Sequence, residues 1–273
     1  MTGAERIAGA FASARAEGRR AALMPYLMGG YPTLEQSREV IGRYVEGGAD
    51  VIELGIPFSD PLADGPVIHA AGVEALRAGI HVEDALGVAG AVAREVPVVV
   101  MCYANPIFAR GLERFVDMLV RAGASGLIVP DLPLEEAPAA ADACDAAGVA
   151  LVPLVAPTTP DSRLHEIAAR ARGFLYTVSV TGTTGERAEL DGGLAGVVAR
   201  ARAATDVPVA VGFGIGTPDQ AVAAAEAGAD GVIVGSRLVR AAGEDVSGVR
   251  ALVASFAAAL REDPATLPEP PVG

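Results

Sequence analysis

Tryptophan is absent from the 273 residues, histidine occurs three times and cysteine twice, and aromatic residues make up only 4% of the chain. Cys102 and Cys144 are too few for a disulfide framework and show no CxxC metal pattern. His69, His81 and His165 are scattered over helices or helix edges without ligand spacing, so no metal site is expected. No apolar run approaches the ~20 residues of a membrane helix. Met1 to Arg20 mixes charges with alanines and lacks an apolar signal core. Neither membrane insertion nor secretion is indicated, and a reduced, cytoplasmic setting is expected. Positive charge is also short. Lys and Arg number 21 against 34 Asp and Glu, a formal net charge of −13. Such a chain gains nothing from approaching nucleic acid or anionic lipid. An anionic small substrate would have to be met by local donors.

What is present is a large apolar fraction, 51%, enough for one core, so residues 1–273 are expected to form a single domain. A repeat organises it. Gly48-Ala49-Asp50, Gly123-Ala124-Ser125, Gly148 and Gly228-Ala229-Asp230 each lead from a helical stretch into an apolar strand, the pattern of a glycine C-cap before an αβ turn. Other strands enter through Pro97 and Pro208. The runs place eight strands at about 22–28, 51–54, 97–102, 126–130, 150–154, 174–178, 208–212 and 231–234, apolar throughout as parallel strands buried on both faces should be. Eight strand–helix units predict an α/β fold, a (β/α)₈ TIM barrel, over an open doubly wound sheet, whose glycine-rich turn follows its first strand. Ile7, Phe11 and Ala14 share one face of an extra N-terminal helix, expected to lie across the closed end. The proline-rich tail 262–273 is expected to be flexible.

Active sites of such barrels lie at the C-terminal ends of the strands. The second strand runs into Glu53-Leu54-Gly55-Ile56-Pro57-Phe58-Ser59-Asp60-Pro61-Leu62-Ala63-Asp64-Gly65-Pro66. Three prolines and two glycines fix a path that is neither helix nor strand. Alternation puts Glu53 on the side of Val51, toward the barrel mouth, with Ile52 and Leu54 against the helices. Desolvation there would raise the Glu53 pKa and suit it to general acid–base work; an exposed or salt-bridged Glu is the alternative. Asp64 could fold back across the mouth, whereas Asp60, before a proline, suits a turn. Asp131 could be catalytic but better suits a turn or surface contact, and Arg187 suits either an anion contact or solvent. The sixth, seventh and eighth strands end in Thr181-Gly182-Thr183-Thr184-Gly185, Gly212-Phe213-Gly214-Ile215 and Gly235-Ser236. These turns and a helix starting at Ser236 form a candidate phosphate cradle of neutral backbone donors. Gly212 and Gly214 could instead make only a tight turn.

The long acidic stretch resembles the signature of the tryptophan synthase alpha subunit family. The similarity extends from Pro25-Tyr26 through Met101-Cys102-Tyr103-Ala104-Asn105, Val129-Pro130-Asp131, Val180 to Gly185, Gly212 to Ile215 and Gly235-Ser236. It implies a (β/α)₈ barrel and retro-aldol cleavage of indole-3-glycerol phosphate to indole and glyceraldehyde 3-phosphate. It also implies an α2β2 complex with a pyridoxal-phosphate-dependent beta subunit, with no cofactor in this chain. By position, Glu53 matches the family's acid/base glutamate and Asp64 its second catalytic carboxylate. Tyr176 matches a tyrosine near the glycerol moiety, and Gly185, Gly214, Gly235 and Ser236 match phosphate contacts. Thr184 matches the sixth-loop threonine that closes against Asp64, and Tyr26 and Phe213 are placed at the substrate. Tyr26 stands where Phe is frequent and Thr183 where an aliphatic is common. No lysine appears at a strand end, so no Schiff-base route is expected. A stand-alone lyase, a non-catalytic sugar-phosphate-binding barrel and a phosphosugar isomerase barrel are the competing readings.

Overall fold

The computed structural model describes residues 1–178, 193–212 and 214–261. The tail 262–273, expected above to be flexible, lies outside them. The strands are β1 (Ala22–Met28), β2 (Ile52–Gly55), β3 (Val98–Met101), β4 (Gly126–Ile128), β5 (Ala150–Leu151), β6 (Leu154–Val155), β7 (Leu175–Val178), β8 (Val209–Gly212) and β9 (Gly231–Val234). Every pairing is parallel, in the order β5-β4-β3-β2-β1-β9-β8-β7-β6.

The expected fifth strand, 150–154, is two pieces rather than one. Pro153 cannot donate to a ladder, which breaks the strand at Val152–Pro153. Closure survives the break. The Val152 N–H donates to the Leu127 carbonyl on one side (2.9 Å), and the Tyr176 N–H donates to the Pro153 carbonyl on the other (3.0 Å). The two ends of the strand order therefore meet, and the expected eight-strand barrel stands with its fifth strand divided.

Side chains alternate across the strands. Ile52 and Leu54 of β2 join the apolar layer between strands and helices, while Val51 packs inside the barrel with Tyr26, Val99, Met101, Phe174, Tyr176 and Ile233. Helix α1 (Gly3–Ala16) starts at a Thr2–Glu5 capping box. It buries Ile7, Phe11 and Ala14, with the Phe11 ring 6.0 Å from that of Phe174. Its Gly3 N–H donates to the Gly148 carbonyl (2.7 Å). These contacts lie at the N-terminal ends of the strands, the closed end of the barrel, as the helical face of α1 predicted.

The repeated turns have a purpose that their glycines alone do not disclose. Gly48 and Gly228 take φ of 95° and 99°, conformations that favour glycine. Each turn then presents an aspartate to the neighbouring strand. Asp50 accepts the Leu23 N–H (2.7 Å) and Asp230 the Val209 N–H (3.0 Å). Asp50 also pairs with buried Arg19 (2.7 Å), and Asp230 with Arg15 of α1 (2.8 Å).

Candidate active site

Glu53 sits near the C-terminal end of β2, in register with Tyr26 of β1 and Val99 of β3. It is 1% exposed, and among the described residues neither carboxylate oxygen has a hydrogen-bond partner. A buried carboxylate without donors loses its hydration and gains nothing in return. Burial, assisted by the nearby Asp64 charge, pushes its pKa up to about 8. The exposed or salt-bridged alternative is thus excluded among the described residues.

Asp64 lies on the loop between β2 and the helix Pro66–Arg77 and is half-buried. Burial raises its carboxyl as well, opposed by a hydrogen bond from Tyr103 and by the charge of His69. The Tyr103 hydroxyl donates to Asp64 Oδ1 at 2.9 Å and accepts the Ala63 N–H at 3.0 Å. Its ring stacks on Phe58 of the same loop, centroids 5.2 Å apart. Tyr103 was legible only as a residue at a strand end. A tyrosine directly after an apolar strand, opposite an acidic loop, is the signal that could have singled it out.

Tyr26 and Tyr176 are buried inside the barrel. Burial raises both phenols well above their usual range, with further upward pressure from the Glu53 and Asp64 charges. Two glycines make room for them. A Cβ on Gly55 would lie 2.0 Å from the Tyr26 hydroxyl, and one on Gly212 would lie 2.2 Å from that of Tyr176. Gly212 therefore serves the inner wall of the barrel, a role its place in a candidate phosphate turn did not suggest.

Gly214 follows β8 with φ of 85°. Gly235 follows β9 and caps the helix Ser236–Glu244, whose first residue, Ser236, is buried. A Cβ on Gly235 would meet Ile68 at 3.5 Å and the Tyr26 Cβ at 3.9 Å, which puts this helix start beside the tyrosine wall. Thr184, Gly185, Phe213 and Arg187 lie outside the described residues. Asp60 is exposed and accepts a hydrogen bond from Ser59. Asp131 accepts the Ala104 N–H (2.8 Å) at the start of the helix Ala104–Arg110, a contact between the segments after β4 and β3 rather than within its own turn. Cys102 and Cys144 are buried and reduced.

Two carboxyls with raised pKa, two buried phenols and a helix N-terminus thus share one barrel mouth. The tryptophan synthase alpha chain family model matches residues 11–265. The chain belongs to the tryptophan synthase alpha chain family. A family member from Methanosarcina mazei is 50% identical over 224 residues, 82% of each chain. The structure of Mycobacterium tuberculosis tryptophan synthase superposes with a TM-score of 0.89 at 40% identity, covering 94% of this chain and 99% of that one. A Pyrococcus furiosus structure, of a mutually activating tryptophan synthase α2β2 complex, superposes with a TM-score of 0.81 at 36% identity, covering 86% and 97%. Among the described residues, no helix is long and apolar enough to cross a membrane.

Proposed function

We propose that this chain cleaves indole-3-glycerol phosphate to indole and glyceraldehyde 3-phosphate. Family membership supports the reaction. The observation that carries the residue assignment is Glu53, buried, unpartnered among the described residues and beside Asp64.

Breaking the carbon–carbon bond directly would leave a carbanion on indole C3, a poor leaving group. Protonating C3 first gives a cationic indolenine that can accept the bonding pair. Glu53, protonated near neutral pH, delivers that proton. Its carboxylate then takes the proton of the glycerol hydroxyl on the adjacent carbon. As that oxygen becomes the aldehyde carbonyl, the C–C bond breaks and its electrons restore neutral indole. One group can give and take a proton because its pKa lies close to operating pH. Asp64 holds the indole N–H and stabilises the ring's positive charge. Tyr26, Tyr176 and Phe213 wall the substrate. Gly185, Gly214, Gly235 and Ser236 hold the phosphate through neutral donors, and Thr184 closes against Asp64.

No step of this scheme calls on a metal or a cofactor in this chain. The partner is a beta subunit in an α2β2 complex, which would hold the pyridoxal phosphate needed to join the indole to serine. Leu62, 78% exposed, and Phe108, 52% exposed, lie in the segments that follow β2 and β3 and are apolar surface suited to a partner. Residues 1–273 act as one barrel unit, in the cytoplasm.

Asp64→Asn tests the assignment. It keeps the shape and removes the charge, and should lower kcat/KM for indole release by about 10²-fold or more. A loss below tenfold would reduce Asp64 to a loop-shaping residue. Activity that hardly responds to added beta subunit would favour the stand-alone lyase.

A further inference from the structure

The loop from Pro57 to Gly65 has no helix or strand of its own, yet the proposed chemistry needs Asp64 placed within hydrogen-bond reach of one ring N–H. The described fixings of this loop converge on Tyr103. That residue is 3% exposed and lies two positions beyond the end of β3. The next residue, Ala104, is tied through its N–H to Asp131 beyond β4. Tyr103 is therefore held by the barrel wall, not by the loop it touches. From this base it contacts the loop three times, through the stack on Phe58, the Ala63 N–H and Asp64 Oδ1.

We infer that Tyr103 is the positioning residue of this site: its hydroxyl fixes one oxygen of Asp64 so that the other faces the indole N–H. This rests on the functional reading above. A phenol accepting a main-chain N–H has its proton directed away from that donor, here onto the carboxylate. The bond also favours the ionised form of Asp64, the form that stabilises a cationic indole ring. Among the described residues, the titratable groups around Asp64 are Glu53 on β2, Tyr26 on β1, Tyr176 on β7, His69 on the helix Pro66–Arg77, and Tyr103 itself. Of these, Tyr103 and His69 oppose the upward pressure of burial on Asp64.

Tyr103→Phe removes the hydroxyl and keeps the stack. It should lower kcat/KM for indole release about ten- to a hundredfold, with the acid limb of the pH profile moved to higher pH. In an Asp64→Asn background the same change should add less than about twofold, because its effect passes through Asp64. Phe58→Leu, which loosens the stack but keeps the hydroxyl, should leave the acid limb in place. Carbon-13 NMR of the Asp64 carboxyl supplies a readout independent of turnover, and the titration should move upward in Tyr103→Phe. A superimposable pH profile and an unchanged Asp64 titration in a folded Tyr103→Phe protein would overturn the inference. If the parent chain released no indole, the functional reading would fail, while the NMR titration would still decide whether Tyr103 governs Asp64.

Discussion

Glu53 combines a fold requirement with a chemical one. Its backbone is an ordinary rung of β2, while its side chain replaces an apolar residue inside the barrel. With the folded pKa near 8 against the usual 4.5, the native state retains a proton that the unfolded chain releases. The stabilising contribution is complete below pH 4.5 and is lost as pH rises through about 8. Glu53→Gln should fold and lose less stability across that window than the parent, as read by thermal unfolding at a series of pH values. Strand alternation made Glu53 legible, and the bend-controlled acidic loop made Asp64 legible. Tyr103 was not, because its bonds to Ala63 and Asp64 join residues 40 and 39 positions apart and leave no local pattern. The pairing of Gly55 with Tyr26 is equally hidden. Gly55→Ala should displace the Tyr26 ring and cost about 1–3 kcal/mol. Adding Tyr26→Phe should recover part of that loss, because the shortest clash, at 2.0 Å, is with the hydroxyl. Urea unfolding of the single and double variants measures the coupling.

At the scale of elements, the repeats carry most of the information. A glycine, a short turn and an apolar run recur because each αβ connection meets the same steric problem, so strand positions could be read to within a residue or two. The division of β5 from β6 was the exception, although its cause, Pro153, stands in the sequence. An apolar run hides the missing donor. The aspartates of the two Gly-Ala-Asp turns went unread because their partners are main-chain N–H groups of neighbouring strands. At Asp50, burial outweighs the Leu23 N–H and the Arg19 charge, and the carboxyl rises to about 6. Helix α1 and its place at the closed end were predictable from one apolar face, but the close approach at Gly3 was not. A Cβ on Gly3 would lie 1.8 Å from the Ser125 carbonyl oxygen, a main-chain atom that cannot rotate away. Gly3→Ala should therefore lift α1 from the closed end and cost about 1–3 kcal/mol. Thermal unfolding should show the loss, while the pH profile of turnover, set at the opposite end of the barrel, should keep its shape.

The whole molecule resolves a tension visible in its composition. A chain with a net charge of −13 is proposed to bind a phosphorylated substrate, which requires the anion to meet backbone donors at a helix start rather than a basic patch. The barrel places that start, Gly235-Ser236, beside Tyr26, whose strand pairs with that of Glu53. The family relationship spans residues 11–265, a range that contains the proposed wall, acids and anchor. The most direct test is steady-state indole release from indole-3-glycerol phosphate by the parent chain and by Glu53→Gln, each with a beta subunit present. The parent should release indole, and Glu53→Gln should fall by about 10²–10⁴-fold or more while remaining folded. Release by Glu53→Gln at close to the parent rate would contradict the assignment of Glu53 as the acid and base of this reaction.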